Sequence, residues 1–234
     1  GSLVALSRRD GQLAWTYKQP VQRDFLVSGQ SGAAVVDDLV LCGLPNGKLV
    51  ALGARDGGLT WEAALDKPDR SPYADVDTTP VVLPRPDGKP WVLAASHSGG
   101  LYALTVAAGA VVWQYPVSGL GPPVLDGDRL LVLATDGELH VLAAATGKPL
   151  WVRKLTGPVQ GELTLIAEQR LLVVPTEQGL DLLDAANGLL LQRRATETGF
   201  AAAPVAAGDW LWTVSNGGVA YGFALRRANT LPIW

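Results

Sequence analysis

One phrase recurs six times along this chain and leaves few folds open to it. Its clearest form is Gly47-Lys48-Leu49-Val50-Ala51-Leu52, then Asp56-Gly57, then Trp61. It returns as Gly100-Leu101-Tyr102-Ala103-Leu104 with Gly109 and Trp113, and as Gly137-Glu138-Leu139-His140-Val141-Leu142 with Thr146-Gly147 and Trp151. A weaker copy, Gly179-Leu180-Asp181-Leu182-Leu183 with Asn187-Gly188, carries Gln192 in the tryptophan slot. The chain opens inside a copy (Leu3 to Leu6, Asp10-Gly11, Trp15). It closes on another, where Leu225 and Trp234 are spaced as Leu142 and Trp151 are. The slots at 15, 61, 113, 151, 192 and 234 lie 38 to 52 residues apart, the period of four-stranded propeller blades.

The residues inside a unit read as strands. Between Trp113 and Trp151 four apolar runs follow one another: Gly121-Pro122-Pro123-Val124, Arg129 to Leu133, Leu139 to Leu142, and Pro149-Leu150-Trp151. Asp126-Gly127-Asp128, Asp136-Gly137 and Thr146-Gly147 separate them. Such turns accept the positive φ of tight hairpins, so successive strands should be antiparallel neighbours. The second run of each unit is almost wholly apolar: Leu39-Val40-Leu41, Trp91-Val92-Leu93, Leu130 to Leu133, Leu171 to Val174, Trp210-Leu211-Trp212. A one-sided strand would alternate, so both faces of these strands should be covered by stacked neighbours. The repeated tryptophan, fixed on the last strand, should wedge between adjacent blades rather than line a ligand pocket.

The expectation is an all-β fold, a β-propeller of four-stranded antiparallel blades. About five full blades follow a partial one, in a single array over 1–234 with repeats ending near Trp15, Trp61, Trp113, Trp151, Gln192 and Trp234. Two outcomes stay open: closure as a five- or six-bladed ring, or an incomplete part of a larger propeller.

Composition narrows the function classes. Hydrophobic residues make up 48% and charged residues 18% of the 234, enough for a large core, and 27 glycines supply the turns. A net charge of −3 argues against nucleic acid, which needs a basic face. Arg8-Arg9, Arg193-Arg194 and Arg226-Arg227 are short and scattered, and read as solvated strand ends or hairpin arms. The single Cys42 forbids an internal disulfide and reads as a small buried hydrophobe. No apolar stretch approaches a membrane span. The opening Gly1-Ser2 reads as an added scar, so an upstream signal or lipid anchor is not tested by its absence.

The phrase Leu-X-Ala-Leu, then X-X-X-Gly, then tryptophan, resembles the repeat of quinoprotein-type (PQQ-like) propellers. Within them it is most similar to the BamB family, propeller lipoproteins of the bacterial outer-membrane β-barrel assembly machinery (the BAM complex). The most specific stretch is Asp75-Val76-Asp77-Thr78-Thr79-Pro80-Val81-Val82. Gly29-Gln30-Ser31-Gly32-Ala33 and Gly199-Phe200 leading to Ala203-Pro204-Val205-Ala206 support it. The resemblance implies an eight-bladed propeller, matched here over its C-terminal two thirds. It also implies a place on the periplasmic face of the outer membrane. By that resemblance two neighbouring loops dock the periplasmic domains of the central barrel-assembly protein, BamA. The first matches Phe25, Leu26, Val27 and Ser28, and the second matches Asp75 and Asp77. Ser28 stands where the family carries an arginine, a departure that removes a charge from the contact.

These positions also have a reading of their own. Phe25-Leu26-Val27 is an apolar triplet beside Arg23 and Asp24 in a long inter-blade loop. It is either an exposed docking anchor with a polar rim or a plug tucked onto its own blade. Asp75 and Asp77 alternate on an incoming strand, and either meet a basic partner or cap the turn after Pro72-Tyr73. No further carboxylate lies near enough in sequence to suggest a cation site.

Other classes fare worse. A quinoprotein dehydrogenase needs a vicinal cysteine pair and a calcium ligand set, and the chain has one cysteine and no matching motif. His97 and His140, the only histidines, show no metal-ligand spacing, and no nucleophile-elbow signature is present. The expectation is a non-catalytic scaffold with no cofactor and no metal. A generic interaction or sensor propeller with another partner is the alternative. A secondary expectation is that a blade edge pairs with incoming unfolded outer-membrane proteins by β-augmentation.

Overall fold

The computed structural model of the chain describes residues 2–18, 31–65, 76 and 78–225. Among these, strands and turns predominate, no α-helix occurs, and one 3-10 turn spans Ala167–Gln169. The first strands, β1 (Ser2–Leu6) and β2 (Leu13–Lys18), form a two-stranded antiparallel sheet. Four four-stranded sheets follow, each pairing its strands in chain order. They are β3 (Ala33–Val36), β4 (Leu39–Gly43), β5 (Lys48–Gly53) and β6 (Leu59–Ala64); β7 (Val81–Leu83), β8 (Trp91–Ser96), β9 (Gly100–Thr105) and β10 (Val111–Tyr115); β11 (Val124–Asp126), β12 (Arg129–Leu133), β13 (Glu138–Ala143) and β14 (Pro149–Lys154); and β15 (Thr164–Ile166), β16 (Leu171–Thr176), β17 (Gly179–Asp184) and β18 (Leu190–Ala195). The last sheet holds β19 (Val205–Ala207), β20 (Trp210–Val214) and β21 (Ala220–Ala224). The fourth strand expected to end at Trp234 lies outside the described residues. Strand β11 begins at Val124 rather than Gly121, because Pro122 and Pro123 have no N–H to give a ladder.

The chain divides into two compact units, 1–130 with 142–150, and 131–141 with 151–234. In the first unit, Trp15, Val40, Cys42, Val50 and Leu52 form one buried cluster between the β1–β2 and β3–β6 sheets. A second, including Leu41, Leu49, Ala51, Val92, Ala94 and Leu104, lies between the β3–β6 and β7–β10 sheets. In the second unit Ile166, Val173, Leu180, Phe200 and Leu211 form the core between the β15–β18 and β19–β21 sheets.

The tryptophans lock these seams in one repeated way. Just before each slot the register shifts: Ala5 opposes Trp15 while Leu6 opposes Leu13, and Ala51 opposes Trp61 while Leu52 opposes Leu59. The same bulge sets Ala103 against Trp113. A bulge turns the strand and re-aims the residue that follows it. The indole then lies against a glycine of the next sheet: Trp15 on Gly57, Trp61 on Gly109, Trp113 on Gly147. These glycines have φ of 68°, 64° and 66°, and an added Cβ would sit 2.7, 2.5 and 2.4 Å from the ring, so a side chain is excluded on both counts. Each indole N–H donates to a main-chain carbonyl three residues before that glycine: Trp15 to Ala54 at 3.0 Å, Trp61 to Val106 at 2.9 Å, Trp113 to Ala144 at 3.2 Å. The inter-blade wedge expected from the repeat is therefore present.

Four of the second strands, β4, β8, β12 and β16, are buried on both faces as their apolar runs predict. Strand β20 is a correction. Leu211 and Thr213 are buried, but Trp210 and Trp212 alternate with them and stay 46% and 50% exposed. An apolar run states what a strand can bury; a second sheet must still be there to cover it.

Candidate functional site

The expected docking residues Phe25, Leu26, Val27, Ser28, Asp75 and Asp77 lie outside the described residues. What brackets them is described. The connections from β2 to β3 and from β6 to β7 each lead from an outer strand to the first strand of the next sheet. Their far feet are tied together. Ser31 Oγ donates to the Thr78 carbonyl at 2.9 Å, and the Gly32 N–H donates to Thr79 Oγ1 at 3.1 Å. The Gly43 N–H reaches Ser31 Oγ at 3.2 Å, and the Val76 N–H donates to the Leu44 carbonyl at 3.2 Å. Thr78 Oγ1 then accepts from the Ala95 N–H at 3.3 Å, which pins the stretch to β8. Val76 is fully buried, and a Cβ on Gly43 would fall 2.2 Å from its carbonyl oxygen. Two of the family-like stretches are thus one junction: Ser31-Gly32 sits on Thr78-Thr79.

A small polar cluster stands at the same strand ends. Lys48 Nζ donates to Glu62 Oε1 at 2.5 Å, both side chains being about one third exposed, so the pair adds little to stability. Burial, then the Glu62 carboxylate, raises the Tyr17 hydroxyl pKa, with Lys48 opposing. The third family-like stretch lies in the second unit. There Phe200, fully buried, receives Tyr221 edge-on at 5.4 Å and donates its N–H to the Thr176 carbonyl at 3.0 Å.

The remaining titratable candidates do not converge. His97 is exposed in the turn after β8, while His140 is buried within β13. Burial lowers the His140 pKa, against the opposing fields of Glu138 and Asp136; its Nε2 lies 3.7 Å from Glu138 Oε2. Burial raises the Cys42 thiol. Among the described residues no three metal-ligating side chains gather, and no helix is long and apolar enough to cross a membrane.

One polar device escaped sequence reasoning. Arg193, taken with Arg194 for a solvated arm, instead clamps Asp181, which is 1% exposed. Its Nε donates to Asp181 Oδ1 at 2.5 Å and its Nη2 to Oδ2 at 2.7 Å, a bidentate fork. Nη1 reaches Gln178 Oε1 at 2.6 Å and Nη2 also reaches the Thr156 carbonyl at 2.8 Å. Hydrogen bonding to Asp181 is the main cause of the raised Arg193 pKa. The signal was the register: aligning Leu182 with Gln192 sets Asp181 opposite Arg193.

Antiparallel sheets of blade size, stacked through a repeated indole-on-glycine seam, define a β-propeller protein of the PQQ-like repeat type. The sequence matches the family described as outer membrane protein assembly factor BamB over residues 1–128 and again over 100–219, and the chain belongs to that family. It is 28% identical over 236 residues to the outer membrane protein assembly factor BamB of Yersinia pestis, covering 95% of this chain and 56% of that protein. With the protein of the same name from Escherichia coli K12 it shares 26% identity, covering 82% of this chain and 49% of that one. The chain thus spans about half the length of these relatives. In fold it is similar to the crystal structure of BamB from Moraxella catarrhalis, with a TM-score of 0.66, 24% identity, 94% of this chain and 66% of that one. It is also similar to Saccharomyces cerevisiae Sqt1, with a TM-score of 0.77 at 12% identity over 98% of this chain and 67% of that one.

Proposed function

We propose that this chain is a non-catalytic scaffold in the assembly of β-barrel proteins into the bacterial outer membrane. It works at the periplasmic face of that membrane, with any lipid anchor supplied upstream of Gly1, and residues 1–234 act as a single array of blades. Its partner is the barrel-assembly protein BamA, whose periplasmic domains dock on the loops carrying Phe25–Ser28 and Asp75 with Asp77. Unfolded outer-membrane proteins are a second, weaker class of partner.

The observation that carries this reading is the junction of Ser31-Gly32 with Thr78-Thr79, in a chain of the BamB family. It holds the feet of the two expected docking loops within hydrogen-bonding distance of each other, so the loops can serve one partner surface. Anchors held on a rigid base lose less freedom on binding than anchors on independent loops.

Calorimetric titration of the chain with the periplasmic domains of its cognate BamA tests it. Saturable binding, weakened at least ten-fold by Asp75→Ala with Asp77→Ala, is the expected result. A folded chain that binds nothing leaves only a generic interaction propeller and removes the assembly role.

A further inference from the structure

In four seams a tryptophan from one sheet lies on a glycine of the next: Trp15 on Gly57, Trp61 on Gly109, Trp113 on Gly147 and Trp151 on Gly188. The seam between β18 and β21 is built for the same ring and lacks it. The bulge that aims the slot residue is present, setting Leu182 opposite Gln192 and Leu183 opposite Leu190. The acceptor is present as well. Leu225 N–H donates to the Asp209 carbonyl at 2.7 Å, as Ala54 does to Asp38 and Ala144 to Asp128 at 2.8 Å. Leu225 therefore holds the place of Ala54, Val106 and Ala144, whose carbonyls each take an indole N–H. Gln192 has no ring to offer it.

What remains is a cleft of about 820 Å³, with Leu171, Leu180, Leu182, Leu211 and Phe223 among its walls and Leu225 at one end. Glu168, Arg170 and Arg194 add charge to its lining. An apolar floor beside charged groups is the anatomy of a site that takes one large anchor side chain.

We propose that this cleft is a receptor for a tryptophan side chain of a partner polypeptide. The indole occupies the place that Trp15, Trp61 and Trp113 fill in their own seams, and its N–H donates to the Leu225 carbonyl. The cleft is far larger than one indole, so it accommodates the residues flanking the anchor, which favours an extended segment over a free small molecule. Apolar spaces of this kind take up aromatic molecules readily because they gain contacts without displacing well-bound water. This inference goes beyond the proposed BamA contact and does not depend on it.

The experiment is a titration of the isotope-labelled chain, followed by NMR, with a hexapeptide carrying one central tryptophan. N-acetyl-tryptophanamide, and the same peptide methylated on the indole nitrogen, are compared with it. Saturable shifts at Leu180, Leu182 and Phe223 are expected, with at least five-fold weaker binding for the methylated peptide and for the amide. Gln192→Trp fills the cleft and abolishes binding, while Gln192→Ala retains it and guards against a fold-dependent loss. No shifts in the folded chain, or equal binding to Gln192→Trp, overturns the site. Equal affinity for the methylated peptide overturns the Leu225 contact, and equal affinity for the amide overturns the partner-segment assignment.

Discussion

The seam closed by Trp113 and the seam left open at Gln192 use the same backbone for opposite ends. Both have the bulge before the slot and a carbonyl three places along from the third strand's last pairing residues. In the first, an indole covers Gly147 and binds Ala144, so neighbouring sheets are joined by a shaped apolar contact. In the second, sheet-to-sheet contact is thinner, and the β15–β18 sheet is tightened from within by the Arg193 clamp on Asp181. The difference teaches that a repeat specifies the frame of a seam, while one residue decides whether the seam is core or cleft.

Removing a closed seam's ring should give the largest loss. Trp15 is buried and hydrogen-bonded to Ala54, so Trp15→Ala should cost about 4 kcal/mol, as aromatic core truncations do. Gln192→Ala, made at the same structural place, should cost well under 1 kcal/mol. Urea unfolding of both variants measures the contrast. Equal costs would mean that the indole seams are not what holds neighbouring sheets together.

Next in size is the clamp that stands in for a ring. Arg193→Ala leaves the Asp181 carboxylate buried without its cation and should cost about 3 kcal/mol, toward the low end for buried pairs because Arg193 keeps some water. Replacing both, Asp181→Val with Arg193→Leu, should recover most of that loss, since no stranded charge remains. Val50 already fills the equivalent place on β5 and faces Glu62. A double variant as unstable as the single one would show that the clamp, and not the stranded charge, governs the sheet.

His140 occupies the corresponding place on β13 and makes a smaller, pH-dependent contrast. Burial lowers its folded pKa below the ordinary histidine value near 6.5. Below that value the unfolded chain takes up a proton that the folded chain resists, so the unfolded state binds more protons. Stability is then full above about pH 6.5 and falls as pH drops from there toward the folded pKa. His140→Gln should flatten part of this fall between pH 7.5 and 5 in urea midpoints, while the contribution of the carboxylates persists. An unchanged slope would place the proton uptake elsewhere.

Much of this comparison was legible in the sequence, and the failures have physical causes. The strands, the turn glycines and the wedged tryptophans followed from spacing, because a four-stranded unit fixes where a bulky residue must sit. The apolar run Trp210-Leu211-Trp212 misled, since hydrophobicity reports the capacity to be covered and not the presence of a cover. Arg193 misled because its partner lies across a hairpin, twelve residues away along the chain, and only the register joins them. Gln192 stood out as a gap in the pattern, yet the size of the cleft depends on Leu180, Leu211 and Phe223 from three different strands. The docking loops gave a weaker signal still. Phe25, Leu26 and Val27 obey no strand period, and only their neighbours Ser31 and Gly32 are tied to the frame.

The smallest expected effect sharpens the comparison most. If the Gln192 seam differs from the others only by its side chain, Gln192→Trp should convert it into a closed seam. The bulge already aims the residue, the Leu225 carbonyl already stands at the acceptor place, and the cleft already has room for a ring. Filling such a space typically adds about 1 kcal/mol, less than Trp15→Ala removes, because the receiving glycine of the other seams supplies part of their fit. The gain should appear as a higher urea midpoint with an unchanged slope. It should shrink toward zero when Leu182, on the wall beside the new ring, is shortened to alanine in both backgrounds, since a double-mutant cycle isolates the contact between them. A loss of stability on Gln192→Trp would show that the two seams differ in backbone as well as in side chain.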